Sequence, residues 1–228
     1  GPEAAALERD AYDGAIAYID QELGRLFDDL ERRGVLDHTI VVITSDHGEE
    51  FGEHGLFLHG HTLYLPALHV PLIIAAPRRG VPAGLRIAEP VSLRGLAATL
   101  AELAELRPAE PFPGTSFALH WRNALGNDAG VAVAPEPILS EVQQGVRIPD
   151  RYPSAHGDMA ALLARGIHYI RNGDGSEELY DVLADPWQAN NLAPIESFRP
   201  ALLDLRTSLN EAVSSPRLSL APPAPEPR

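Results

Sequence analysis

Asp46 and His47 stand side by side in SDHGEEFGEHG (Ser45 to Gly55), directly after the apolar run Thr39 to Thr44, TIVVIT. An acid and an imidazole are therefore presented together where a strand ends, as a pair of metal ligands would be. Asp46 offers a hard carboxylate oxygen and His47 a borderline nitrogen. That combination suits Zn²⁺ or Mn²⁺ and, with oxygens as the remaining ligands, Mg²⁺ or Ca²⁺. The residues alone are equally compatible with a helix N-cap followed by a structural histidine. Downstream, LHGHTLY places His59 and His61 on either side of Gly60. A protonated imidazole in such a loop stabilises charge on an anion or gives a proton to a departing alkoxide. Glu49, Glu50 and Glu53 supply more carboxylate than one divalent ion needs. One of them is expected to orient a ligand, or to cap a short helix after Gly48. His54 is expected to close the loop through a backbone hydrogen bond, and His69 to stand at a strand entry. His38, His120, His156 and His168 have no supporting context.

The elements that must position these residues follow from hydrophobic pattern. TIVVIT is β-branched and does not alternate, which predicts a fully buried strand of a parallel sheet, with ligands bound beyond its carboxyl end. Val70 to Ala76 predicts a second buried strand. Leu7 to Arg33 predicts a long amphipathic helix stopped at Gly34, with Ile16, Ile19, Leu23, Leu26, Phe27 and Leu30 at helical spacing. Asp28 and Asp29 then lie on a helix and not at a strand end. Ser92 is expected to cap a helix from Leu93 to about Leu106, in which Gly95 costs about 1 kcal/mol against alanine. Alternating strands and helices predict an α/β fold with helices packed on a mostly parallel sheet. After Pro108 the pattern changes to short strands at Ile138 to Val142, Ala164 to Arg171 and Glu178 to Val182, with a hairpin signal at Asn172-Gly173-Asp174-Gly175. Phe198 to Val213 predicts a closing helix. The expected organisation is an α/β portion over residues 1–135, a small antiparallel sheet with a helix over 136–213, and a disordered Pro-rich tail over 214–228.

A net charge of −14 with no basic block argues against nucleic acid as a partner. No apolar stretch approaches the roughly 20 residues of a membrane span and no signal peptide is read in these residues, which excludes neither secretion nor anchoring of a longer parent. The chain has no cysteine, so disulfides do not enter its stability. All 18 basic residues are arginine. Met159 is the single methionine, so the chain is expected not to begin at a native start codon.

Five segments in order carry a resemblance over about two-thirds of the chain. They are Tyr12 to Asp46, Leu56 to Pro77, PVSLRGLAATLAELA from Pro90, PFPGTSF from Pro111, and IHYIRNGDGSEELYDVLADPWQANNLA from Ile167. Together with SDHGE they resemble the sulfatase family of the alkaline-phosphatase-like hydrolases. The resemblance implies a metal-dependent hydrolase of small anionic sulfuric esters. It implies one divalent ion, Ca²⁺ first by family and otherwise Mn²⁺, Mg²⁺ or Zn²⁺, with Asp46 and His47 as ligands. It also implies a small antiparallel C-terminal sheet with a helix, and a periplasmic, extracellular or membrane-anchored parent. Phosphoethanolamine transferases of the same superfamily carry a similar SDHGE…LHG run whose histidine contacts the phosphoryl group, and His59 matches that spacing. His61, three residues before Tyr64, falls about where some relatives have a leaving-group lysine. Glu141, in LSEV, is a candidate for lining the substrate cleft.

The departures from the family pattern are specific. No C/S/T-x-P-S/A-R nucleophile motif occurs, since Pro153-Ser154 is followed by Ala155. The family's acidic pair after its first strand is absent, and no lysine is available to hold a leaving group. The resemblance therefore implies the C-terminal portion of a larger enzyme, inactive alone. A phosphoryl-transferring relative and a noncatalytic module of the same fold are the alternatives. LYDVLADPWQANNLA, similar to the LYDL…DP.E..NL ending of sulfatases, favours sulfuric ester hydrolysis.

Overall fold

The computed structural model describes residues 2–126 and 136–214; the Pro-rich tail from 215 onward lies outside them. The chain opens with α1 (Pro2–Arg32). The helix stops at Gly34, whose φ of +69° only glycine adopts freely. The Gly34 and Val35 amides donate back to the carbonyls of Glu31 and Leu30, closing the last turn. Leu23, Phe27 and Leu30 are partly covered, but Leu7, Ile16, Ile19 and Leu26 on the same helix are exposed.

Next come β1 (Val41–Thr44), β2 (Glu50–Phe51), β3 (Phe57–Leu58), the single turn α2 (Leu65–Leu68) and β4 (Leu72–Ala75). β1 and β4 form a two-stranded antiparallel sheet, Val41 opposite Ala75 and Thr44 opposite Leu72. This corrects the expected parallel sheet. A parallel neighbour needs a crossover of a dozen or more residues, usually a helix. The connection here holds only a short hairpin and one helical turn, and it returns the chain in the opposite direction. Burial is corrected too: β1 is half-buried, and Ile73 on β4 is 56% exposed. On β4 burial alternates, and Leu72 and Ile74, with Ile40, pack on Ala76, Leu103, Phe117 and Trp121. Leu103 belongs to α3 (Gly95–Leu103) and Trp121 to α4 (Ala118–Ala124), with Phe117 at the N-terminal cap of α4. Gly95 is required at their junction, since a Cβ there would lie 2.3 Å from the Thr115 carbonyl oxygen.

The remainder is one antiparallel sheet in chain order, β5 (Ile138–Val142), β6 (Met159–Ala164), β7 (Ile167–Arg171) and β8 (Glu177–Asp181), followed by α5 (Arg199–Ser214). The single strand expected over Ala164 to Arg171 is instead the second arm of a hairpin. Arg165 and Gly166, both at positive φ, make its two-residue turn, and β6 precedes it. The turn expected at Asn172 to Gly175 joins β7 to β8, held by Ser176 donating its amide to Asp174. Side chains alternate between the faces of β6. Ala160 and Leu162 meet Leu202, Leu205 and Leu209 of α5, whereas Met159 and Ala161 share a core with Leu56, Leu63 and Tyr64. The C-terminal sheet thus lies between its helix and the segment that follows the Asp46–His47 loop.

Candidate metal and leaving-group site

Asp46 and His47 leave the end of β1 in a loop whose backbone is fixed at Gly48. The Gly48 amide donates to the Ala67 carbonyl at 2.8 Å, and a Cβ on Gly48 would stand 2.0 Å from the Pro66 carbonyl oxygen. Only glycine allows the loop to lie so close to α2. β2 comes directly after the loop, and the short helix expected after Gly48 is instead a single 3-10 turn at Glu53–Gly55, beyond β2. The Asp46 side chain is 89% exposed, and one of its oxygens accepts the His47 amide at 3.1 Å. His47 Nδ1 lies 2.8 Å from the Gly48 carbonyl oxygen. A carbonyl only accepts, so Nδ1 carries the proton and Nε2 keeps its lone pair. That nitrogen is 3.8 Å from Asp46 Oδ2. One ion bound to both at the usual bond lengths of about 2.0–2.4 Å accommodates that separation. Among the described residues no group of three or more His, Cys, Asp or Glu side chains is placed to hold a metal ion. The pair fits two positions of a coordination sphere and does not complete it.

β2 and β3 form a hairpin, Glu50 opposite Leu58 and Phe51 opposite Phe57, that carries His59 back to this pair. The His59 ring stacks on His47 with centroids 3.9 Å apart and planes 22° apart. His59 Nδ1 lies 3.0 Å from a carboxylate oxygen of Glu49. His61 packs elsewhere. Its ring tilts against Tyr152 at 4.7 Å, its Nδ1 is buried without a hydrogen-bond partner among the described residues, and its carbonyl accepts the Ser154 amide. Tyr152 in turn donates to the Phe57 carbonyl at 3.1 Å, tying β3 to the loop before β6. The three glutamates of the loop face different ways. Glu50 is 1% exposed, accepts from Thr62 at 2.9 Å and is pushed up to about 7, chiefly by burial and further by Glu53 and Glu49. Glu53 accepts the Phe51 amide at 2.6 Å and faces Arg9 of α1 at 3.6 Å.

His54 sits at φ +54° and stacks flat on Tyr64, 3.7 Å between centroids, so ring contact and not the expected hydrogen bond holds it. The Tyr64 hydroxyl donates to Glu178 on β8 at 2.9 Å, the Asn172 amide donates to the same carboxylate at 2.6 Å, and so does the Tyr180 hydroxyl. Burial, then the Glu178 charge, raises Tyr64 well above the phenol range, and burial with the Glu178 hydrogen bond does the same to Tyr180. A second bracket runs from buried Gln188. Its side-chain oxygen accepts the Leu65 amide at 2.6 Å, and its nitrogen donates to His168 Nδ1 at 2.8 Å. Sequence reasoning missed Gln188, Glu178 and the Glu49–His59 contact. The last was accessible from hairpin register: two glycines between the acid run and LHG mark a turn, and extending the pairing of Glu50 with Leu58 by one residue sets Glu49 opposite His59. His69 is exposed at the end of α2, before β4, and Glu141 is exposed on β5.

The family model described as Sulfatase matches residues 1–106. A protein named sulfatase from Formosa agariphila is 32% identical over 187 residues, 79% of this chain and 32% of the relative. A choline-sulfatase from Rhizobium meliloti is 31% identical over 185 residues, 81% of this chain and 33% of the relative. This chain belongs to the sulfatase family. It spans about a third of the length of these curated sulfatases. The structure of BT4656 in complex with its substrate D-glucosamine-2-N,6-O-disulfate superposes on this sulfatase chain with a TM-score of 0.69 at 25% identity. The match covers 86% of this chain and 38% of that one. No helix among the described residues of this sulfatase chain is long and apolar enough to cross a membrane.

Proposed function

We propose that this chain supplies the C-terminal half of the active site of a metal-dependent sulfuric ester hydrolase. The observation that carries the reading is the stack of His59 on His47, which sets a titratable ring against the Asp46–His47 ligand pair. Asp46 Oδ2 and His47 Nε2 would hold the divalent ion, Ca²⁺ by family and otherwise Mn²⁺, Mg²⁺ or Zn²⁺, together with acidic ligands and a nucleophile from outside this chain. When bound, the ion supplies Lewis-acid neutralisation of the ester oxygens. The Gly48 carbonyl fixes the His47 tautomer, so the nitrogen aimed at the ion needs no proton transfer before it binds. His59, the exposed imidazole beside the pair, delivers a proton to the leaving alkoxide or balances its charge. His61, the second candidate for that contact, holds the loop against Tyr152. The substrate is a small anionic ester.

The natural protein carrying this chain is assayed for sulfate release from aryl and sugar sulfates. Asp46→Ala and His47→Ala are expected to abolish turnover and His59→Ala to lower kcat; activity that survives Asp46→Ala would sink the reading. The 228-residue chain alone is expected to release no sulfate above its own Asp46→Ala control. It is also expected to bind divalent metal only weakly by calorimetry, since two donors leave most of a coordination sphere to water.

A further inference from the structure

We infer that Glu49 is the positioning residue of this site: its carboxylate holds His59 by Nδ1, in one tautomer and one orientation against His47, and leaves Nε2 as the working nitrogen. The inference rests on the leaving-group reading of His59 and adds to it the residue that makes that ring usable.

Five observations carry it. The Glu49 oxygen is 3.0 Å from His59 Nδ1, and an ionised carboxylate only accepts, so the ring proton at that position belongs to Nδ1. The Glu49 side chain is 17% exposed while that of His59 is 46% exposed. The sheltered group therefore anchors the exposed one. The other Glu49 oxygen is buried and has no partner, so the histidine is the side chain's single hydrogen-bonded neighbour among the described residues. Glu50 and Glu53, on the same strand and turn, are committed to Thr62 and to the Phe51 amide. Finally, the backbone on both sides of His59 is left-handed, with Leu58 at φ +71° and Gly60 at +77°. Leu58 adopts this region at a cost, and the departure ends β3 just before His59, so the carboxylate of Glu49 and not a strand ladder holds that ring.

In water the proton of a neutral imidazole prefers Nε2, and an exposed histidine on a loop samples several rotamers. A carboxylate on Nδ1 removes both freedoms before substrate arrives; the proton given to the alkoxide is one that Nε2 has first taken up, on an imidazolium whose charge Glu49 balances, and giving it returns the ring to the Nδ1–H form. This is the orienting task a carboxylate performs for the histidine of a hydrolytic triad, on a different scaffold.

The chain labelled with 15N-histidine tests this directly, at a pH where its imidazoles are neutral, by long-range proton–nitrogen correlation. His59 is expected to be in the Nδ1–H form, with Glu49→Ala returning it to the Nε2–H form and Glu49→Gln, which keeps an acceptor, retaining Nδ1–H. Glu49→Leu, closer in volume, serves the same purpose if the alanine variant unfolds. The His168 signal, from a ring buried against Gln188, reports an intact fold. A wild-type His59 already in the Nε2–H form, or one unmoved by Glu49→Ala and Glu49→Leu, overturns the proposal. In the natural protein, Glu49→Ala is expected to lower kcat about 10- to 100-fold with KM little changed. Glu49→Gln should recover most of the loss, and adding Glu49→Ala to His59→Ala should cost nothing further. A His59→Ala enzyme with wild-type kcat overturns the leaving-group reading itself. An impaired His59→Ala enzyme beside an unimpaired Glu49→Ala enzyme overturns only the role of Glu49.

Discussion

Glu50 is a carboxylic acid that its surroundings keep protonated to about pH 7, against an ordinary value of 4.5. The folded protein therefore holds a proton that the unfolded chain releases. The cost begins near pH 4.5, grows until about pH 7 and is constant above it. Glu50→Gln, which keeps an acceptor for Thr62 and cannot ionise, is expected to be more stable than the wild type at pH 8 by about 1–3 kcal/mol. The difference should vanish near pH 4.5. Urea unfolding at several pH values measures it, and a difference independent of pH would show that the buried charge is not its source. His168 acts in the opposite sense. Burial lowers it to about 4 from 6.5, so the unfolded chain takes up a proton first and stability is lost as pH falls through that interval.

Between elements, the decisive contact is the convergence of Tyr64, Tyr180 and Asn172 on Glu178, which fastens the segment after the site to β8. Glu178→Ala would strand three donors at once and is expected to cost about 3 kcal/mol or more in thermal or urea unfolding. Tyr64→Phe, which removes one donor and leaves the acceptor satisfied by the others, should cost about 1 kcal/mol. A Glu178→Ala protein as stable as Tyr64→Phe would mean that the network holds nothing. Sequence pattern made many of these elements readable. The expected extents of α1, β4, β5, β8 and α5 agree with the structure to within a few residues, because periodicity and turn chemistry are local properties. Strand direction was not readable, since TIVVIT has the same composition in a parallel or an antiparallel pair. β6 was missed because MAALLA has neither alternation nor β-branching, and because the turn Arg165-Gly166 lacks the asparagine or aspartate that marks such turns. Asp46 and His47 announce themselves by type and adjacency, whereas Gln188 reaches the site segment from 123 residues away, which no local pattern encodes.

At the scale of the molecule, stability is unevenly spread. α5 sets Leu202, Leu205 and Leu209 into the C-terminal sheet, while α1 leaves Leu7, Ile16, Tyr18 and Ile19 facing solvent and meets β2 through Arg9 and Tyr12 on Phe51. Propensity alone leaves a helix marginal without a packed face. Amide hydrogens of residues 7–20 are therefore expected to exchange far faster than those of residues 202–209, as read by mass spectrometry. Equal protection of both segments would refute this unevenness.

The β1–β4 ribbon adds a colloidal liability. Among the described residues neither outer edge of this pair is hydrogen-bonded to another strand, and β1 lies within the uncharged, β-branched run TIVVIT. Two open edges on an apolar ribbon are a template for strand addition between molecules. Concentrated solutions of the isolated chain should therefore form thioflavin-positive aggregates. A lysine in place of Ile43 should delay them, because a charge on the edge strand makes stacking of identical copies repulsive.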